Sequence, residues 1–158
     1  MRLLLVIIDA FIVRVGDQRF AIPQSTVSEV MELPESQITT LQSGEIFSCR
    51  GEPLPIARLA TIFHQRGDPE ATGTSHKTKL ALITGENGSR TALVVDRVLG
   101  TREVVVRAVI DPLVAQPGIA GATELGDGSI VLILDVRNLL HRERTKGPDS
   151  TQREDHYL

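Results

Sequence analysis

The hydrophobic and polar positions along the chain predict short β-strands joined in hairpins. Apolar residues over Phe11–Val15 alternate in part, Gly16 and Asp17 supply a turn, and Arg19–Pro23 is expected to be the returning strand. The same order of strand, turn and strand recurs further along the chain. The later hairpins are Ile46–Cys49 with Leu54–Ile56, Leu80–Ile83 with Thr91–Val95, and Ala122–Leu125 with Ile130–Leu134.

Helical spacing is confined to short stretches. Two of them place apolar residues at positions i, i+3 and i+4, which is typical of a short helix with one buried stripe. These residues are Leu59, Ile62 and Phe63 and, 77 positions later, Val136, Leu139 and Leu140. Asp135 stands in the N-cap position of the second helix. Thr26 and Glu29 have the spacing of a capping box, which predicts one or two helical turns over Thr26–Met31.

The two halves of the chain end in the same order of elements. We therefore predict a mostly β fold of two small barrels of the same kind, each too small to be stable alone and packed against the other. The approximate lobes are residues 9–75 and 76–141, and they interleave if a strand of one half completes the barrel of the other. A single β-sandwich in which hairpins merely recur is the alternative. Pro53 and Pro55 lack amide donors, so their strand is expected at a sheet edge.

The two ends of the chain differ from this repeated core. The apolar run Leu3–Ile8 stops at Asp9, far short of the roughly 20 residues that cross a bilayer. Residues 1–8 are therefore expected to form a buried strand or a linker remnant, and not a membrane segment. Residues 142–158 are polar and are expected to be a disordered tail.

Composition narrows the classes of function. The 158 residues are 41% hydrophobic and 23% charged, which is enough for an ordinary core. A net charge of −3 gives no overall attraction to nucleic acid or anionic lipid. The single cysteine, Cys49, forms neither an internal disulfide nor, by itself, a zinc site. We expect it to be a small buried residue of a cytoplasmic protein.

Residues for catalysis or metal binding are scarce. The four histidines show no metal-ligand spacing, and His64 and His141 follow the predicted helices, where a cation suits the helix C-terminus. An enzyme would need Asp96, Asp127 and His141 to converge. A ligand bound inside a barrel would need an open interior, and a barrel of short strands leaves little space beyond its own side chains. No catalytic residue, cofactor or metal is expected, which leaves binding to other proteins as the favoured class of function. An exposed Val105 would mark a contact surface.

Four separate motifs, in order and at compatible spacing, carry a resemblance to a known family. They are Ile8–Gly16, Arg50–Ile56, Leu93–Gly100 and Pro117–Gly128. Together they resemble the CheW-like domain, over about residues 5–141. The last motif, with Ile133–Val136 after it, is more similar to the C-terminal regulatory domain of the chemotaxis histidine kinase CheA than to the free adaptor CheW.

This resemblance implies two pseudo-symmetric, five-stranded Src-homology-3-like barrels with no catalytic centre. It implies a signalling scaffold that couples chemoreceptors to a two-component histidine kinase, either as a fragment of CheA or as a stand-alone CheW-like protein. The implied partners are CheW, CheA-type CheW-like domains and the cytoplasmic tip of a chemoreceptor. The implied location is the cytoplasm, beside membrane receptor arrays.

The resemblance also implies partner-binding residues. Arg50 and Gly51 match the family's Arg-Gly turn, a position tied to receptor and partner contact. Arg58 stands where the family usually has an acid, so a reversed charge is expected near this hairpin. Weaker contact candidates are Ile46 and Phe47 on the first lobe and Val98 and Leu99 on the second.

Overall fold

The computed structural model describes residues 6–64, 78–85, 90–108 and 118–145. This part of the chain is mostly β-structure with two α-helices and two 3-10 turns, at Gln24–Thr26 and Glu35–Gln37. The strands are β1 (Val6–Val15), β2 (Gln18–Pro23), β3 (Val27–Pro34), β4 (Ile38–Leu41), β5 (Gly44–Cys49), β6 (Glu52–Arg58), β7 (Thr78–Thr84), β8 (Thr91–Val95), β9 (Arg97–Ala108), β10 (Ile119–Glu124) and β11 (Ile130–Leu134). The α-helices are α1 (Leu59–Ile62) and α2 (Val136–Thr145).

The strands form two sheets with the same plan. One is a closed barrel in the order β1-β2-β11-β10-β9, and the other, called here the second sheet, has the order β3-β7-β8-β6-β5-β4. Each sheet contains an antiparallel hairpin, β1–β2 or β7–β8, whose second strand pairs in parallel with a strand that leads into a helix. The helices α1 and α2 begin 77 positions apart, at Leu59 and Val136. The predicted mostly β, duplicated fold is confirmed.

The sheets do not follow the approximate division at residues 75 and 76. The β1–β2 hairpin pairs with β9 and β11 from the second half, whereas β7–β8 pairs with β3 and β6 from the first half. Each sheet thus combines the hairpin of one half with the remaining strands of the other. The second sheet has six strands and not five, because the stretch that corresponds to β9 is split into β3 and β4 by the 3-10 turn after Pro34.

The helical turns predicted over Thr26–Met31 are wrong. The Thr26 hydroxyl donates back to the Pro23 carbonyl at 2.7 Å and does not cap a following helix. The chain then runs as β3 along β7, from Val27 opposite Thr84 to Pro34 opposite Thr78. Pairing with a strand distant in sequence has overridden the local capping pattern.

The strand with the two prolines is not at an edge, because β6 lies between β5 and β8. Its parallel pairing with β8 covers only Ile56–Arg58. Pro53 and Pro55 precede that segment, so the ladder with β8 does not need their missing amides.

Both ends of the described core also differ from expectation. Val6 and Ile7 form a strand but are exposed, and Leu3–Leu5 lie outside the described residues. Helix α2 continues to Thr145, into the segment predicted as a disordered tail, so His141 is inside the helix and not beyond its end. The N-cap prediction is confirmed, since the amide of Asn138 donates to Asp135 Oδ1 at 3.2 Å.

Among the described residues, three apolar clusters stabilise the two sheets. The inside of the closed barrel is filled by Ala10, Ile12, Ala21, Val104, Val131 and Ile133. The inner face of the second sheet carries Leu33, Phe47, Leu54, Ala81, Ile83, Ala92 and Val94. The third cluster, called here the shared layer, lies between the sheets and consists of Val13, Val15, Phe20, Ile22, Leu59, Leu82, Leu93, Val95, Leu134, Val136, Leu139 and Leu140. Phe20 of β2 also stacks on Phe63 after α1, with ring centroids 4.9 Å apart.

Replacing Gly118 with Ala should destabilise the fold by about 1–3 kcal/mol. Gly118 has a φ of +85°, and an added Cβ would lie 2.6 Å from Cδ1 of Leu139 on α2. Chemical denaturation measures the change in the free energy of unfolding. Gly126→Ala is the matched control, since nothing lies within 4 Å of its added Cβ, and equal losses in the two variants would contradict the prediction.

The carboxyl of Asp127 should titrate with a pKa of about 2, well below the usual 3.8. The Ser129 hydroxyl and amide both donate to Oδ1, at 2.5 and 3.0 Å, and Arg19 donates to Oδ2 at 3.1 Å. Because the pKa falls on folding, the stabilisation is complete above pH 3.8 and is lost as the pH falls through about 2. Ser129→Ala should raise this pKa toward 3.8 in a carbon-13 NMR titration; an unchanged value would show that the hydroxyl is not the cause.

Candidate functional site

The hairpin of β5 and β6 ends in a strained two-residue turn. Cys49 pairs with Glu52, and the residues between them, Arg50 and Gly51, have φ values of +50° and +82°. Positive φ at both central positions defines a type I′ turn, which favours Asn-Gly. An arginine at the first position is held in the left-handed region at a cost of about 1–2 kcal/mol. The turn therefore presents an exposed Arg50 in a backbone conformation that its side chain disfavours.

A cleft of about 220 Å³ opens beside this turn. Its floor includes the buried Leu54, and its charged walls are Glu29 of β3, Arg50, Glu52 of β6 and Arg90 before β8. Arg90 lies 4.0 Å from a carboxylate oxygen of Glu29. Within the described ranges, Arg50 and Glu52 make no ion pair. The cleft thus combines an apolar floor with one arginine and one glutamate that are available to a binding partner.

Sequence reasoning identified Arg50 but missed the rest of the cleft. Glu29 was hidden by the mistaken helix, whereas the bulge that precedes it on β3 sets it opposite Ile83. Arg90 directly precedes a buried strand, and only the pairing of β3, β7 and β8 brings it near Glu29. No local sequence pattern indicates that Arg90 lies near Glu29.

The two first-lobe candidates lie on opposite faces of β5. Phe47 is 4% exposed and belongs to the core of the second sheet, so its side chain is not available to a partner and that prediction needs correction. Successive residues of a strand point to opposite faces, which leaves the partly exposed Ile46 on the other face.

The two second-lobe candidates separate at a β-bulge. Gly100 lies opposite Ile12 and Val98 opposite Val13, so Leu99 is the extra residue on β9. Val98 packs against the shared layer, so its side chain is also poorly available to a binding partner. The bulge turns Leu99 outward, where its side chain is 48% exposed.

A further apolar pair lies on the outside of the closed barrel. Val105 of β9 is exposed, as a contact patch would require, and it stands opposite the exposed Ile7 of β1. Val104 beside it is buried in the barrel.

The unusual Arg58 does not present a free positive charge. Its Nε and one terminal nitrogen donate to the two carboxylate oxygens of Glu45, at 2.6 and 3.0 Å. Such a two-point contact is the strong geometry for an arginine and a carboxylate. The charge reversal expected at this position is therefore neutralised within the chain.

Two of the three residues considered for catalysis have structural roles. The amide of Gly16 donates to Asp96 at 2.7 Å, and Asp127 accepts the bonds from Ser129 and Arg19. His141 is exposed on α2. The Cys49 side chain lies outside the described set. Where the structure is described, no group of three His, Cys, Asp or Glu residues could hold a metal ion, and no helix is long and apolar enough to span a membrane.

Known proteins are similar to this chain in sequence and in fold. The Chemotaxis protein CheA of Treponema pallidum is 36% identical over 138 residues, covering 87% of this chain and 17% of the relative. CheA of Salmonella typhimurium is 37% identical over 145 residues, covering 90% of this chain and 21% of the relative. The scaffolding protein TtCheW of Thermoanaerobacter tengcongensis has a similar fold, with a TM-score of 0.60, 17% identity, and coverage of 85% of this chain and 88% of that one.

The chain spans about a fifth of the length of these CheA relatives. Residues 9–144 match the sequence profile of the CheW-like domain. This match begins within β1, contains all the other strands and the Arg50 turn, and ends within α2. The chain therefore belongs to the CheW-like domain family.

Proposed function

We propose that this chain is a non-catalytic scaffold that couples chemoreceptors to a two-component histidine kinase through CheW-like protein contacts. Its proposed partners are CheW, CheA-type CheW-like domains and the cytoplasmic tip of a chemoreceptor. With these partners, the chain would act in the cytoplasm beside membrane receptor arrays. A regulatory domain within a kinase and a stand-alone adaptor would use the same contacts. The observation that carries the proposal is the Arg50 turn at the edge of an open cleft.

Arg50 has the properties of an interface anchor. Arginine is enriched among the residues that contribute most to protein–protein binding, and its planar guanidinium recognises carboxylates at two points. Here the guanidinium has no internal acid within the described residues, and the type I′ turn holds its backbone in one conformation. A partner carboxylate at this turn would complete the pairing, and the apolar floor at Leu54 would bury part of its side chain.

Leu99 supports a second contact surface on the other sheet. A scaffold must hold at least two neighbours, and two different surfaces allow chains to join head to tail. Arg50 belongs to the second sheet and Leu99 to the closed barrel, so the two candidates lie on different sheets. Ile46 is a lesser candidate in the middle of β5, on the same hairpin as Arg50 and on the face opposite Phe47.

The alternatives have less support. A ligand-binding barrel needs an open interior, but the inside of the closed barrel is filled by apolar side chains. An enzyme would draw on Asp96 and Asp127, whose carboxylates accept hydrogen bonds that fix turns. The cleft at Arg50 is lined by four charged side chains and one apolar one, which favours contact with a charged surface of another protein.

Arg50→Glu should weaken binding to CheW or to a receptor cytoplasmic fragment by about tenfold or more, because a partner carboxylate would then meet a like charge. Arg50→Asn should also weaken binding, while its melting temperature stays equal or rises, because Asn suits a type I′ turn better than Arg. Isothermal titration calorimetry and thermal unfolding measure the two effects.

Arg137→Glu is the matched control, since it makes the same change in net charge at an exposed residue of α2 that is not among the candidate contact residues. Its affinity should stay within about twofold of the unmodified chain. Equal losses for both charge reversals, or no loss for Arg50→Glu, would contradict the role of Arg50. No association with either partner at tens of micromolar would count against the scaffold itself.

A further inference from the structure

An ion pair closes the base of the hairpin whose tip carries Arg50. Glu45 is near the start of β5 and Arg58 is the last residue of β6, while Arg50 lies at the opposite end of the same hairpin. We propose that the Glu45–Arg58 pair is a positioning device that sets the direction in which this hairpin presents Arg50. The inference rests on the proposed function, because it assigns a consequence for partner binding.

The pair has the geometry of a specific contact. Both carboxylate oxygens of Glu45 accept from Arg58, and the two side chains are 29% and 32% exposed. Ile46 lies opposite Pro55, so Glu45 and Arg58 are diagonal neighbours on one face of the hairpin. Long side chains reach across this diagonal. The two-point contact fixes orientation as well as distance.

The same face of the hairpin carries a second anchor. Phe47 and Leu54 stand opposite each other and are buried in the core of the second sheet. Along this face the order from base to tip is therefore the ion pair, the buried apolar pair, and then the Arg50 turn. One anchor fixes where a rigid hairpin lies, whereas two anchors along its length also fix where it points.

Backbone pairing with β8 holds only the base of the hairpin. The β8 ladder reaches only Ile56–Arg58, so the β6 segment that contains Pro53 and Pro55 has no β8 partner. Arg58 is the residue of this ladder farthest from the tip, so the ion pair ties β5 to the part of β6 that β8 holds. A partly exposed ion pair adds little to global stability, so its loss should alter the hairpin more than the whole fold.

The test compares Glu45→Gln, Arg58→Gln and the exchanged pair Glu45→Arg with Arg58→Glu in the full chain. Each single variant should speed amide hydrogen exchange in the hairpin tip about threefold to tenfold and weaken binding to CheW or a receptor fragment by a similar factor. The exchange rates of the slowest amides, expected in β7 and β8, should be unchanged. Unchanged rates there would show that the variants fold. The exchanged pair should restore both readouts at least in part.

Other patterns would overturn the inference. Unchanged hairpin exchange in Arg58→Gln would show that the pair does not hold the tip. If Glu45→Gln strengthened binding while Arg58→Gln weakened it, Arg58 would be a direct contact and not a positioning residue. Failure of the proposed function is distinguishable, because Arg50→Glu would then leave binding unchanged while Arg58→Gln still loosened the hairpin.

Discussion

The shared layer between the two sheets is the constraint on which the rest of the structure depends. A barrel of five short strands encloses few apolar side chains and buries too little surface to fold alone. Here β1, β2, β7, β8 and β11 are buried on both faces, one toward the inside of their own sheet and one toward the shared layer. Each large side chain buried there adds roughly 1.5–3 kcal/mol. The two sheets therefore form one core.

The interleaved topology strengthens that dependence. Because each sheet contains a hairpin from one half and strands from the other, neither half of the chain can complete a sheet without its counterpart. The helices α1 and α2 follow equivalent strands and bring Leu59 and Leu139 into the same layer. The burial of both strand faces leaves turns, bulges and strand ends for function. Arg50 occupies one such turn and Leu99 one such bulge.

Much of this fold could be predicted from local sequence. Glycine turns between apolar runs located the four hairpins, and the repeat of three apolar positions located both helices. Asp135 revealed the start of α2 because N-capping depends on residues only a few positions apart. The family motifs then led to the Arg50 turn. The features that depend on residues close together in the sequence could therefore be predicted.

The remaining features depend on pairing between distant residues. Thr26 and Glu29 fit a capping box, yet pairing with β7 made that segment a strand. Ile46 and Phe47 could not be told apart until strand register assigned Phe47 to the core. Arg58 looked like an exposed reversed charge because its partner Glu45 is reached only when β5 folds against β6. In each case a contact across the sheet decided the outcome.

Native-state hydrogen exchange on Leu93→Ala tests the shared layer most directly. Leu93 lies on β8 and is fully buried in that layer. If the two sheets form one core, the slowest amides near Ile83 in the second sheet and near Ile133 in the closed barrel should lose the same protection, about 2–5 kcal/mol. Loss of protection in the second sheet alone, with the closed barrel unchanged, would contradict the account.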